Sequence, residues 1–296
     1  MPPSFIKFHG FGNDYIVIEQ KDLTEIAPLG EAAKLGQFAR RICNRHYGAG
    51  ADGIAVISPA EDQTADFHVR IFNPDGSEAG LSGNGTRCAA SYLYNKQLWT
   101  AKELRLSTRS GVKLYTLREH SDPGRYVFDS ELGQPKFDSR SIPMLTGEPL
   151  EKVIDYELNV DGAGFRVTAL QMGNPNCCIF VEDFATLDWR MIGPTLETHP
   201  QFPDRTNVVF IRVQDRQTIE LRIWERGVGE TEASGTCSCA AAVAAMIKGE
   251  TERLVTVLMP GGKAKIHWRG DDEAGEVVIT GMAEVIYGGD WLGKID

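Results

Sequence analysis

The chain has 296 residues, 42% of them hydrophobic and 24% charged, enough apolar material for two ordinary domains or one large one. A net charge of −10 with no Lys/Arg cluster argues against a nucleic-acid or anionic-membrane partner, and no apolar run approaches the roughly 18 residues of a membrane span. The amino terminus, MPPSFIKFHG, has no charged leader ahead of an apolar stretch, so a cytoplasmic location is expected.

Along the chain, a β-type run at 15–18 is followed by a helix predicted over about 31–46 and a second β-type run at 67–72. The cluster Asn73-Pro74-Asp75-Gly76 reads as a turn, and an alanine-rich helix is expected over 83–97. Further runs lie at 104–107 and 112–117, then a turn-rich segment around 120–150 fits a crossover between two halves. The second half has runs at 165–168, 178–181, 207–213 and 219–224 before another alanine-rich helix over 235–249. Many strands and few helices predict an α+β architecture with a mostly antiparallel sheet.

Six cysteines, at 43, 88, 177, 178, 237 and 239, are too few and too clustered for a disulfide framework in a chain this long. Neither Cys177-Cys178 nor Cys237-Ser238-Cys239 has zinc-ligand spacing, and the six histidines form no ligand motif, so no metal is expected.

The two halves echo each other. Gly12-Asn13 and Gly173-Asn174 each run into an apolar strand, and each half later has a Ser-Gly turn feeding an alanine-rich helix: SGNGTRCAAS from Ser82 and SGTCSCAAAV from Ser234. In each half a β-type run ends in a polar residue nine positions before the serine, at Asn73 and at Glu225. A duplicated unit explains the pattern. Two helix starts facing a cleft would offer unpaired N–H donors and positive dipole ends, which suits a carboxylate. A protic side chain at each start would set one acid/base group on each face of a bound carbon.

The segments KFHGFGNDYIVIE, GADGI, FNPDGSEAGLSGNGTRCAA, MGNPN, TNVVF and WERGVGETEASGTCSCAA resemble, in order and over nearly the whole chain, the signature segments of the diaminopimelate epimerase family. The resemblance implies two similar domains, each a sheet wrapped on a central helix, here 1–128 with 278–296 and 129–277. It further implies cofactor-independent epimerisation of a small amino acid, converting LL- to meso-diaminopimelate, by a homodimer. One thiolate takes the Cα proton and a second thiol returns one to the opposite face. Carried over position by position, Asn13, Asn73, Asn174 and Asn207 match substrate-binding asparagines. Gly83 and Asn84, with Gly235 and Thr236, match the backbone donors to the α-carboxylate. Glu225 and Arg226 match the acid and base that hold the distal or amino end, while Arg87 reads as structural.

Three positions depart from the family pattern. Its two catalytic cysteines fall on Ser82 and Ser234, and Asn176 stands where the family has histidine in its GNPH motif. A thiol starts near pKa 8.5, whereas a hydroxyl, with water at about 15.7 as proxy, costs about 10 kcal/mol more to ionise. A helix dipole of about 0.5–2 kcal/mol does not close that gap. The open readings are an epimerase with altered chemistry that recruits a neighbour such as Cys237 or Cys88, a lyase of the same superfamily, and an amino-acid binder or deliberate cysteine-to-serine exchange.

Overall fold

The computed structural model describes residues 2–28, 30–121, 124–160, 162–270 and 274–293. The chain divides into two compact units, one of residues 1–130 with 281–296 and one of residues 131–280.

In the first unit, β1 (Ser4–Gly10) and β2 (Asn13–Glu19) form a hairpin closed at the Gly10–Asn13 pair. Phe11 and Gly12 have φ of 57° and 85°, the two-residue geometry whose twist matches that of paired strands. β3 (Gly53–Pro59) runs parallel to β2, and β4 (Phe67–Phe72) antiparallel to β3. The short β5 (Glu78–Ala79) is antiparallel to β4, and β6 (Glu103–Thr108) is parallel to β4. β7 (Gly111–Ser121) and β8 (Arg125–Gly133) complete an antiparallel meander.

Helices cover both faces of this sheet. Tyr15, Val17, Ala55 and Ile57 pack with Cys88, Ala89 and Tyr92 of α2 (Gly83–Asn95). The alternate residues Ile16, Ile18, Ile54 and Val56 pack with Leu35, Phe38 and Ile42 of α1 (Ala32–Ile42). Burial on both sides explains why β2 and β3 read as unbroken apolar runs rather than alternating ones. α1 stops four residues short of its predicted end because the Asn44 side chain captures the N–H groups of His46 and Tyr47, at 2.9 and 2.8 Å.

The second unit repeats the topology. β10 (Ala163–Gln171) and β11 (Pro175–Phe180) are antiparallel, β12 (Asn207–Asp215) is parallel to β11, and β13 (Thr218–Glu225) is antiparallel to β12. β14 (Gly229–Thr231) is antiparallel to β13, and β15 (Leu254–Met259) is parallel to it. β16 (Gly262–Trp268) and the first residues of β17 (Val277–Asp290) then add antiparallel, as β7 and β8 do. α3 (Trp189–Glu197) sits between β11 and β12 in the chain, and α4 (Gly235–Ile247) between β14 and β15, the places of α1 and α2. β9 (Val153–Val160) is an extra strand beside β10. The latter part of β17, Glu284 to Asp290, pairs with β1 in the first unit.

α2 and α4 each run thirteen residues and stop at a left-handed residue, Gln97 with φ 56° and Gly249 with φ 74°, each fifteen positions after its serine. Both helices are therefore slightly shorter than predicted. α3 is absent from the sequence reading because Gly193-Pro194 looks like a breaker; Asp188 nevertheless starts the helix, its Oδ1 accepting from Met191 N at 3.2 Å. The segment read as a crossover holds the boundary between the two units, at 130/131, and also a strand that the sequence reading did not give. β8 occupies 125–133, with Tyr126, Phe128 and Ser130 alternating inward and Gly124 turning at φ 76°. Residues 122 and 123 of that segment lie outside the described residues. Among the described residues, no helix is long and apolar enough to cross a membrane.

Candidate active site

In each unit several of the predicted residues meet near the start of α2 or α4. In the first, Ser82 is the N-cap of α2, and its Oγ accepts from Gly85 N at 3.1 Å. Gly83 and Asn84 hold the first two helical positions, whose N–H groups have no carbonyl to meet inside the helix. A Cβ built on Gly83 would touch nothing within 4 Å, so its surroundings are open.

The Asn84 side chain is buried and joins two others. Its Nδ2 donates to Asn13 Oδ1 at 3.1 Å, and its Oδ1 accepts from Arg87 Nη1 at 2.9 Å. Arg87 is 1% exposed, and its guanidinium lies 5.5 Å from the Phe11 ring centroid. Asn13 Nδ2 donates to Asp52 Oδ2 at 2.9 Å, and Asp52 Oδ1 accepts from Arg45 Nη2 at 2.8 Å. The amide of Asn13 is thereby fixed from both ends. Asp14 anchors the same corner with Lys7 at 2.7 Å and Arg45 at 2.9 Å. Burial raises the Asp14 pKa, but bonds from Arg45 and Lys7 outweigh that and leave it below the ordinary value. Asn73 stands apart from this chain, its Nδ2 donating to Ser77 Oγ at 2.9 Å.

Two residues with no assigned role in the sequence reading belong here. Asp52 lies in the GADGI segment and orients Asn13. Tyr15 is buried against Gly85 at the helix start, and burial pushes its hydroxyl pKa up strongly. Its ring fits only because two neighbours are glycines. A Cβ on Gly53 would come within 2.6 Å of Tyr15 Cε1, and one on Gly85 within 2.9 Å.

In the second unit, Ser234 has the same backbone geometry but a different use. Its Oγ donates to Glu225 Oε2 at 2.9 Å and makes no capping bond. Thr231 Oγ1 donates to the other carboxylate oxygen at 2.7 Å. Burial raises the Glu225 pKa, and the bonds from Thr231 and Ser234 only partly oppose it. Gly235 and Thr236 hold the first two helical positions, equivalent to Gly83 and Asn84.

The remaining asparagines are brought together by the residue that replaces histidine. Asn176 is fully buried; its Nδ2 donates to Asn174 O at 2.7 Å, and its Oδ1 accepts from Asn207 Nδ2 at 3.1 Å. Asn207 Oδ1 in turn accepts from Arg226 N at 2.9 Å. Arg226 enters the site through this backbone group, because its guanidinium turns away to Asp204 O at 2.9 Å. Glu197 secures the turn after Glu225, accepting from Trp224 Nε1 at 2.9 Å and Gly227 N at 2.8 Å.

The recruitable thiols are not available. Cys88 and Cys237 are both fully buried, and burial pushes Cys88 to about 12 and Cys237 well above its ordinary value. Neither supplies a thiolate near neutral pH.

Residues 5–137 and 168–286 match the family model for diaminopimelate epimerase. A curated relative, diaminopimelate epimerase of Pelotomaculum thermopropionicum, is 42% identical over 290 residues, covering 97% of this chain and 98% of its own. Among solved structures, a phenazine biosynthesis protein of the PhzF family from Bacillus anthracis aligns with a TM-score of 0.68 at 15% identity, covering 99% of this chain and 100% of its own. A hydroxyproline epimerase from Agrobacterium vitis aligns with a TM-score of 0.67 at 14% identity, covering 98% and 90%. At those identities the structural likeness speaks for the fold alone.

Proposed function

Because the chain belongs to the diaminopimelate epimerase family, we propose that it is a cofactor-independent amino-acid epimerase acting on LL-diaminopimelate, in lysine and cell-wall precursor synthesis, with Ser82 and Ser234 in the acid/base positions. The observation that carries this reading is the repeated helix start, in which a serine with extended backbone precedes two helical positions whose N–H groups have no partner inside the helix. Gly83, Asn84, Gly235 and Thr236 are the donors assigned to the α-carboxylate. Asn13, Asn73, Asn174, Asn207, Glu225 and the Arg226 backbone are assigned to the rest of the substrate.

Removing a Cα proton leaves a carbanion whose charge spreads into the α-carboxylate. Fixed N–H donors stabilise that charge more than the ground state, which is where such donors accelerate a reaction. The protein is proposed to act as a cytoplasmic homodimer, which sedimentation and fractionation test.

Incubation with LL-diaminopimelate in D2O tests the activity. Cα exchange with stereoinversion supports an epimerase. Loss of water or ammonia from a β-substituted amino acid makes the protein a lyase, and calorimetric binding with no exchange makes it a binder.

A further inference from the structure

We propose that Asp52 is a positioning residue for the substrate: as the acceptor end of a hydrogen-bond chain whose donor end is Arg87, it fixes which way the amides of Asn13 and Asn84 face. The proposal rests on the reading above, in which those two asparagines meet diaminopimelate, with Asp52 acting through them and not on the substrate itself.

A primary amide can turn over, exchanging its oxygen and nitrogen, and an asparagine that does so offers a ligand the wrong group. The first unit removes that freedom with two groups that cannot change sense, since a guanidinium only donates and an ionised carboxylate only accepts. Arg87 Nη1 donates to Asn84 Oδ1 at 2.9 Å, Asn84 Nδ2 to Asn13 Oδ1 at 3.1 Å, and Asn13 Nδ2 to Asp52 Oδ2 at 2.9 Å. Turning Asn13 alone would set oxygen against oxygen at Asp52 and nitrogen against nitrogen at Asn84. Reversing both amides would point Asn84 Nδ2 at the guanidinium. What Asn13 keeps for the substrate is one N–H and one lone pair, in one arrangement instead of two.

Asp52 is itself held in place. Its N–H donates to Asp14 O at 2.9 Å and to Asp14 Oδ1 at 2.8 Å, and its Oδ2 accepts from Asp14 N at 3.0 Å. Its Oδ1 accepts from Arg45 Nη2 at 2.8 Å, so donors reach both carboxylate oxygens. The other end is confined by close backbone: a Cβ on Gly281 would lie 2.9 Å from Arg87 Cζ, and one on Gly10 would lie 3.3 Å from Asn84 Oδ1. The second unit builds an amide chain of the same sense from backbone ends. Arg226 N donates to Asn207 Oδ1 at 2.9 Å, Asn207 Nδ2 to Asn176 Oδ1 at 3.1 Å, and Asn176 Nδ2 to Asn174 O at 2.7 Å. Those ends cannot be substituted away, whereas Asp52 is a side chain whose removal tests the device.

The test is a double-mutant cycle on the full chain, read as calorimetric affinity for LL-diaminopimelate in Asp52→Ala, Asn13→Ala and the double variant, with thermal unfolding of each alongside. Asp52→Ala should weaken binding about tenfold, the worth of one well-placed hydrogen bond. In the Asn13→Ala background the same change should cost no more than about twofold, because the group that it positions is gone. A merely structural Asp52 would weaken binding by the same factor in both backgrounds; that result overturns the proposal, as does unchanged affinity in Asp52→Ala. Side-chain amide NMR of the unsubstituted protein depends on no variant folding: one Nδ2 proton of Asn13 should be protected from solvent exchange, and an amide exchanging as freely as that of an exposed asparagine overturns the chain. The expected affinity pattern without Cα exchange in D2O would overturn the epimerase reading and leave the assignment of Asp52 standing. Absence of binding to the unsubstituted protein overturns both.

Discussion

Ser82 and Ser234 open their helices in nearly the same backbone conformation, with φ/ψ of −134°/120° and −143°/126°, yet only Ser82 caps its helix. Ser234 directs its hydroxyl to Glu225 at 2.9 Å instead. Two residues matched by internal repetition thus serve different bonds, and the two substitutions to alanine should differ accordingly.

Ser82→Ala removes the acceptor for Gly85 N and is expected to cost about 1 kcal/mol of stability through lost capping. Ser234→Ala has no cap to lose, so its stability effect comes only through Glu225. Urea denaturation at pH 7 checks this; a capping loss of equal size in both proteins would contradict the asymmetry.

Glu225 makes a second, opposite prediction for stability. An acid whose folded pKa is raised favours the protonated fold, so its contribution is fully present below the unfolded pKa of about 4.3 and is lost as pH rises through the folded value. Above that window the ionised carboxylate costs stability. Glu225→Gln keeps an acceptor for Thr231 and removes the charge, so it should be as stable as the unsubstituted protein or more so at pH 7, with the advantage gone in acid. Thermal unfolding across pH measures it; a marked loss of stability at pH 7 with a gain in acid would contradict the assigned shift.

Gly281 is required by the packing beneath the first helix start. A Cβ there would lie 2.9 Å from Arg87 Cζ and 3.1 Å from Phe11 Cζ. Gly281→Ala is expected to destabilise by about 1–3 kcal/mol through overpacking. Displacing Arg87 should also loosen Asn84 and weaken substrate binding. Denaturation together with calorimetric titration tests both effects, and unchanged values in both would show that Arg87 moves freely.

Much of this was legible in the residues because the signals are local. The β-type runs, the two Ser-Gly helix starts and the nine-residue spacing from Glu225 to Ser234 all lie within short windows. What stayed hidden depends on register and close packing. Asp52 meets Asn13 across 39 positions because Asp52 N bonds Asp14 O at 2.9 Å where β3 enters beside β2. Tyr15 packs beside the first helix start only where Gly53 and Gly85 leave room for its ring. Asn176 appears in sequence as the loss of an imidazole; in the fold it is the amide that ties Asn174 to Asn207. α3 was hidden by a proline that its single short helix accommodates.

The central claim is that Ser82 and Ser234 occupy the acid and base positions of an epimerase, and restoring thiols at both tests it most directly. The double variant Ser82→Cys with Ser234→Cys should exchange the Cα hydrogen of LL-diaminopimelate in D2O and form the meso isomer at least about 10²-fold faster than the unsubstituted protein. A correctly folded double variant that binds the substrate and gains no exchange would contradict the account.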